Sequence, residues 1–308
     1  MKKLSLVTFI LVTHLFSNTF ADSFFPGPLI NAEWLVDNID DVVILDSRKE
    51  LDTFTKQGHI ENATLVDVNK IRINREIDGK ELTRMRPDAK SFQSFMRLHG
   101  INNDSRVVLT HRGKTPGQVA GAARLYWHFK YYGFTNVALL DGGNAAWVAA
   151  LEDLTDEMSE VTSGDYNVGQ EQLEIVATMQ QVQAKLNDPS TTFIDTRALR
   201  FHIGIDKKDY VYDYGHIPGS RNLPYKFLHP AKGNSVYFSI DKLKQIITDL
   251  RINLDNELIL YCNSAYECSS DWFVLHELLG HERVRIYDGS LHQWTQYENN
   301  PMTTVITK

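Results

Sequence analysis

The stretch from Leu258 to Gly280, "LILYCNSAYECSSDWFVLHELLG", holds both cysteines of a 308-residue chain, six positions apart. It decides the fold because its hydrophobic period changes in the middle. Leu258 to Tyr261 is an apolar run of strand length, whereas Ser270 to Leu279 carries apolar residues at helical spacing. Cys262 therefore sits at a strand-to-helix turn. In α/β proteins such turns gather at the carboxyl ends of parallel strands, where ligands bind and backbone amides meet anions. A thiol placed there is expected to ionise more easily than a free one.

Working outward, the same landmarks occur twice and in the same order. "VVILDSR" (42 to 48) answers "TTFIDTR" (191 to 197), and "GHIENA" (58 to 63) answers "GHIPGS" (215 to 220). "RVVLTH" (106 to 111) answers "LILYC" (258 to 262), and "GFTNVALLDGGNAAW" (133 to 147) answers "GHERVRIYDGSLHQW" (280 to 294). A period this long marks a duplicated domain. Short β-rich runs alternate with helical patterns at 88 to 100, 121 to 133 and 241 to 252. That alternation predicts an α/β fold: two tandem three-layer domains, each a mainly parallel sheet flanked by helices. The expected boundaries are 22 to 152 and 171 to 308, joined by the acidic linker 153 to 170.

The N-terminus combines Lys2 and Lys3, an apolar core from Leu4 to Phe16, and small residues ending at Ala21. This is the order of a secretory signal peptide, so residues 1 to 21 are expected to be removed and the protein exported, periplasmic or secreted. The core is shorter than a bilayer span requires. No membrane association is expected after cleavage. A net charge of -7 supplies no basic footprint for nucleic acid. The histidines show no metal-ligand spacing, so neither metal nor cofactor is expected.

With Asp-x-Arg, Gly-His-Ile, a cysteine loop after an apolar strand, and Asp-Gly-Gly or Asp-Gly-Ser six residues before Trp, the chain resembles the tandem-domain rhodanese sulfurtransferases. The resemblance implies two rhodanese domains, of which the C-terminal one carries a persulfide on Cys262. Sulfane transfer needs a thiolate nucleophile and a pocket for the terminal sulfur anion. The loop Cys262, Asn263, Ser264, Ala265, Tyr266 and Glu267 would supply that pocket from its amides. The N-terminal copy has His111 where the other has Cys262, so it cannot form a persulfide; His111 is read as a polar loop residue near the domain interface.

Other roles follow from the resemblance alone. Arg200 corresponds to a substrate-binding arginine, although it stands one residue closer to Asp-x-Arg than is usual. Arg197 joins it at the donor site, the Asp195–Arg197 pair also bracing the sheet. Lys207 and Lys208 add positive charge, while His216 and Asp288 are read as a turn residue and a helix cap. The expected partners are a small anionic sulfur donor and a thiol or cyanide acceptor. Ser264 resembles the serine of mercaptopyruvate-type members, but "LVDVNK" and "LTRMRP" offer Asn69 and Arg84 where that group uses Asp and His. Thiosulfate or a similar donor is therefore favoured over 3-mercaptopyruvate. A non-catalytic sulfur carrier and a cysteine-loop phosphatase remain alternatives, the latter weakened because Cys268 stands where a phosphatase has its arginine. Cys268 itself is read either as a packed helix residue or as a disulfide partner for Cys262. Glu267 places a carboxyl beside an anionic substrate, which fits neither donor.

Overall fold

The computed structural model describes residues 24–305; the stretch read as a signal peptide lies outside them. The first half contains β1 (Leu29–Ile30), β2 (Val43–Ser47), β3 (Thr64–Val66), β4 (Ile73–Ile77), β5 (Lys80–Met85), β6 (Val107–Thr110) and β7 (Val137–Leu140). The second contains β8 (Val176–Ala177), β9 (Thr191–Asp195), β10 (Arg221–Asn222), β11 (Glu257–Tyr261) and β12 (Val284–Tyr287). Each half builds a five-stranded parallel sheet, in the orders β1-β7-β6-β2-β3 and β8-β12-β11-β9-β10. The two orders are identical once corresponding strands are matched. Register confirms the matching, since Asp46 pairs with Thr110 and Asp195 with Tyr261, in each case just before His111 and Cys262.

The strands read as continuous apolar runs because both faces are covered. Successive side chains point to opposite faces. Val107 and Leu109 thus enter the core under the helices Ala89–Leu98 and Pro116–Tyr131, while Val108 enters the one containing Leu35 and Trp147. In the second half Leu258 and Leu260 face one core, Ile259 and Tyr261 the other. The helix Pro116–Tyr131 starts where "TPGQ" predicts, with Thr115 and Gln118 forming a capping box around Pro116. It is buried nearly all round, because it packs on its own sheet and against the helix Cys268–Trp272 of the other half. Leu109 and Trp127 share one hydrophobic cluster with Leu260 and Trp272. The halves are therefore fused through a common core.

A salt bridge inside this interface joins Arg124 to Asp288, whose other carboxylate oxygen accepts from the Arg86 amide at 3.0 Å. Burial alone would raise the Asp288 carboxyl, but Arg124 and Arg86 hold it below the usual range. Removing one partner of such a buried pair costs about 3–5 kcal/mol. Asp288 is thus an interdomain tie and not the expected helix cap; its counterpart Asp141 also reaches across, accepting from the Tyr237 amide at 2.9 Å. His216 keeps its expected structural role. It pairs with Thr303 as His59 pairs with Thr155. The segment expected as a linker is consequently strapped onto the first half, with Tyr166 buried against Phe92 and Phe134.

Candidate active site

Cys262 follows the last residue of β11, and the chain re-enters helix at Cys268. The intervening loop turns sharply at Ala265, a non-glycine residue at φ 55°. Ser290 secures it: its hydroxyl oxygen accepts from the amides of Cys262 at 3.3 Å and Ala265 at 3.0 Å, and donates to the Tyr287 carbonyl at 2.9 Å. The amides of Leu291 and His292 donate to the carbonyls of Cys262 and Asn263 at 3.3 and 2.9 Å. Loop amides are thereby left free to point inward. Burial works against ionisation of Cys262, yet hydrogen bonds from the Cys268 thiol and amide and from the Ser264 and Glu267 amides lower its pKa to about 5. A shift of this size favours the thiolate by roughly 5 kcal/mol. Cys262 is a thiolate at neutral pH.

Cys268 is fully buried, and burial together with its hydrogen bond to Cys262 pushes its own thiol well above the ordinary range. It is a donor to the thiolate and a poor nucleophile. The two cysteines are not joined by a disulfide.

The thiolate lies in a cavity of about 340 Å³ lined by residues of both halves. From the second half come Lys208, Tyr210, Asn263, Ser264, Tyr266 and Glu267; from the first come Lys49, Asn69, Arg72 and Arg84. The first-half contribution depends on the β4–β5 hairpin, whose two-residue turn Asp78-Gly79 has positive φ at both positions. Arg72 precedes the hairpin. Its Nη2 donates to the Ser264 carbonyl, its Nε donates to the Arg84 carbonyl at 2.8 Å, and its guanidinium lies 5.6 Å from the centre of the Tyr266 ring. Burial and the neighbouring Arg124 lower its pKa to about 10, so it remains charged at neutral pH. Arg84 adopts φ 63° and places its guanidinium 4.2 Å from the centre of the Tyr210 ring. A left-handed conformation at such a residue costs about 1–3 kcal/mol and persists where the surroundings enforce it. Here the hairpin aims Arg84 into the cavity.

Several expectations for individual residues need correction. Arg200 is exposed, pairs with Asp206 at 2.6 Å and does not line the cavity, because the short helix Leu199–His202 turns it to solvent. Arg197 is buried beneath the site; it binds Asp195 at 2.6 Å and donates to the Gly215 carbonyl at 2.6 Å. It is a brace rather than a donor-binding residue. Asp195, which burial would raise, is held below the usual carboxylate range by Arg197. Ala265 is buried and shapes the loop without lining the cavity. Asn263, Ser264, Tyr266, Glu267 and Lys208 do surround Cys262, and Asn69 and Arg84 line the same cavity as Ser264. Lys207 instead donates to the Val211 carbonyl at 2.9 Å. Glu267 also changes character, since burial first and the Cys262 thiolate second raise its pKa to about 8. It is predominantly neutral at neutral pH, which removes the conflict with an anionic substrate.

Sequence reasoning missed Arg72 and Lys49. Their contacts join distant parts of the chain, although the Asp-Gly pair at 78 and 79 signals the hairpin that carries Arg84. Among the described residues no group of three or more His, Cys, Asp or Glu side chains is placed to hold a metal ion.

Comparisons with known proteins agree with this architecture. The chain is 29% identical over 291 residues to "Sulfur carrier protein TtuD" of Thermus thermophilus, covering 89% of this chain and 94% of that one. It is 34% identical over 215 residues to "Putative thiosulfate sulfurtransferase" of Haloferax volcanii, covering 68% and 72%. The crystal structure of SseA from Escherichia coli, described as a 3-mercaptopyruvate sulfotransferase with the rhodanese fold, superposes with a TM-score of 0.72 at 25% identity over 86% of this chain and 98% of that one. The rhodanese-like domain model matches twice, at residues 31–150 and 178–297, and the chain belongs to the rhodanese-like domain family.

Proposed function

We propose that this protein is a sulfurtransferase that takes sulfane sulfur from thiosulfate or a similar small anion onto Cys262 and passes it to a thiophilic acceptor. The observation that carries this reading is a thiolate with a pKa of about 5 in a cavity lined by Lys49, Arg72, Arg84 and Lys208. The thiolate attacks the outer sulfur of the donor, the donor's S–S bond breaks, and sulfite leaves with the bonding pair. The resulting persulfide anion is held by the loop amides that held the thiolate. The cationic residues bind the donor's charged oxygens. A cysteine where a phosphatase has its arginine argues against phosphate-ester chemistry, because Cys268 is buried against Cys262 and bears no positive charge.

Thiosulfate is favoured over 3-mercaptopyruvate because Asn69 and Arg84 share the cavity with Ser264, and neither moves protons as a paired Asp and His would. A carrier role, in which the persulfide is handed to another protein, gains support from the name of the Thermus relative. Export belongs to the same proposal and rests on the composition of residues 1 to 21. Steady-state kinetics with thiosulfate and 3-mercaptopyruvate test the donor. The expected result is a higher kcat/KM for thiosulfate; the reverse order would overturn the assignment.

A further inference from the structure

We propose that Glu267 is a catalytic residue of the second half-reaction, carrying a proton between the persulfide and a thiol acceptor. The inference rests on the sulfurtransferase reading and adds the acceptor class to it. Glu267 occupies the last loop position, so its amide touches the Cys262 sulfur while its side chain enters the same cavity. Its carboxyl makes no hydrogen bond or ion pair with another described side chain. The other buried acids differ: Asp195 is bound by Arg197, Asp288 by Arg124, Glu257 by Lys185 and Arg285, and Glu277 by Tyr126 and Lys130, while Asp271, whose carboxyl is likewise unengaged, is fully buried and does not line the cavity. Glu267 alone among these combines an unengaged carboxyl with access to the reacting sulfur.

The groups facing it come from several elements. Cys262 lies on its own loop, Lys208 and the Asp195–Arg197 pair lie near it, and Asp271, Tyr210, Tyr225 and Tyr266 complete its surroundings. Lys208 and Arg197 favour the carboxylate; burial and the Cys262 charge outweigh them, with a pKa near 8 as the result. Such a value suits a group that both gives and takes a proton near neutral pH. The alternatives are less suitable. Cys268 has no cavity exposure, and Ser264 and Tyr210, which are hydrogen-bonded to each other, hold their protons too tightly.

Loading from thiosulfate transfers no proton, but transfer to a thiol does. The protonated Glu267 gives its proton to the outer sulfur of the persulfide anion, making that sulfur electrophilic. The acceptor thiol then gives its proton to the Glu267 carboxylate, and the new thiolate attacks the outer sulfur. The bond between that sulfur and Cys262 breaks, and its electron pair restores the Cys262 thiolate. The acceptor leaves as a neutral persulfide with Glu267 protonated again, so atoms and charge balance without an external oxidant or reductant.

Single-turnover kinetics of the loaded enzyme with glutathione and with sulfite separate this role from a structural one. Sulfite reverses loading and brings no proton. In Glu267→Gln, transfer to glutathione is expected to fall about a hundredfold, and about thirtyfold more than return to sulfite does. The decline of glutathione transfer as pH rises through about 8, where wild-type Glu267 loses its proton, should be absent from the variant. Glutathione transfer within about threefold of wild type, or equal losses with both acceptors, would overturn the proposal. Failure of the wild-type protein to load from thiosulfate would overturn the sulfurtransferase reading instead.

Discussion

The loop after β6 and the loop after β11 occupy equivalent places, yet one begins with an inert imidazole and the other with a reactive thiolate. The Asn144 amide donates to the His111 carbonyl at 2.7 Å just as the Leu291 amide donates to the Cys262 carbonyl at 3.3 Å. Beneath both lies the same brace, Asp46 with Arg48 and Asp195 with Arg197. The difference lies above it. Ser290 offers its hydroxyl to two loop amides, whereas its counterpart Gly143 sits so close to His111 that a Cβ would lie 2.2 Å from the His111 carbonyl oxygen. His111 folds onto its own loop, with Nδ1 accepting from the Gly113 amide at 3.0 Å and burial depressing its pKa to about 3. A duplicated scaffold therefore places a loop at the carboxyl end of the sheet, and the residues at two matched positions decide whether it holds an anion.

That comparison is vulnerable to four substitutions. Arg84→Ala is expected to lower kcat/KM for thiosulfate about thirtyfold, the loss of a charge-assisted contact in a partly enclosed cavity. Arg200→Ala should change it less than twofold. The reverse ranking would restore Arg200 to the donor site and remove the first half's cationic hairpin from function. Ser290→Gly gives the active loop the residue found in the inactive one, at a φ of 47° that glycine tolerates well. With two amides deprived of their acceptor, persulfide loading should slow about tenfold and the alkylation midpoint of Cys262 should move upward. An unchanged midpoint would show that the hydroxyl does not organise the loop. His111→Ala should leave sulfur transfer within about threefold because the imidazole is neutral and faces no substrate. A hundredfold loss would mean that the inactive copy contributes to the reaction directly.

The repeat, the parallel sheets and the position of Cys262 were readable because each depends on local pattern: apolar runs, helical spacing and ordered landmarks. The cavity wall was less readable. Arg200 sits near Asp-x-Arg in sequence, but a four-residue helix sets its direction, and that direction is outward. Arg72 contacts a loop 192 positions away, a relation that no local pattern carries. The protonation of Glu267 was hidden for a similar reason, since it follows from burial beside a thiolate and not from residue type. Asp288 resembled a cap because its copy Asp141 has the same neighbours, yet both act across the interface.

The most direct test of the account is the mass of the peptide bearing Cys262 after incubation with thiosulfate, measured across pH. The peptide should gain about 32 Da, the mass of one sulfur, and the gain should vanish in Cys262→Ser. Because the thiolate form exists above its depressed pKa, the loading rate should be level between about pH 6 and about pH 7, where Glu267 is still protonated, and fall as pH drops through about 5. Sulfur retained in Cys262→Ser, or found on Cys268, would contradict the assignment of the nucleophile. A loading midpoint near that of a free thiol, about 8.5, would contradict the claim that the loop holds Cys262 as an anion.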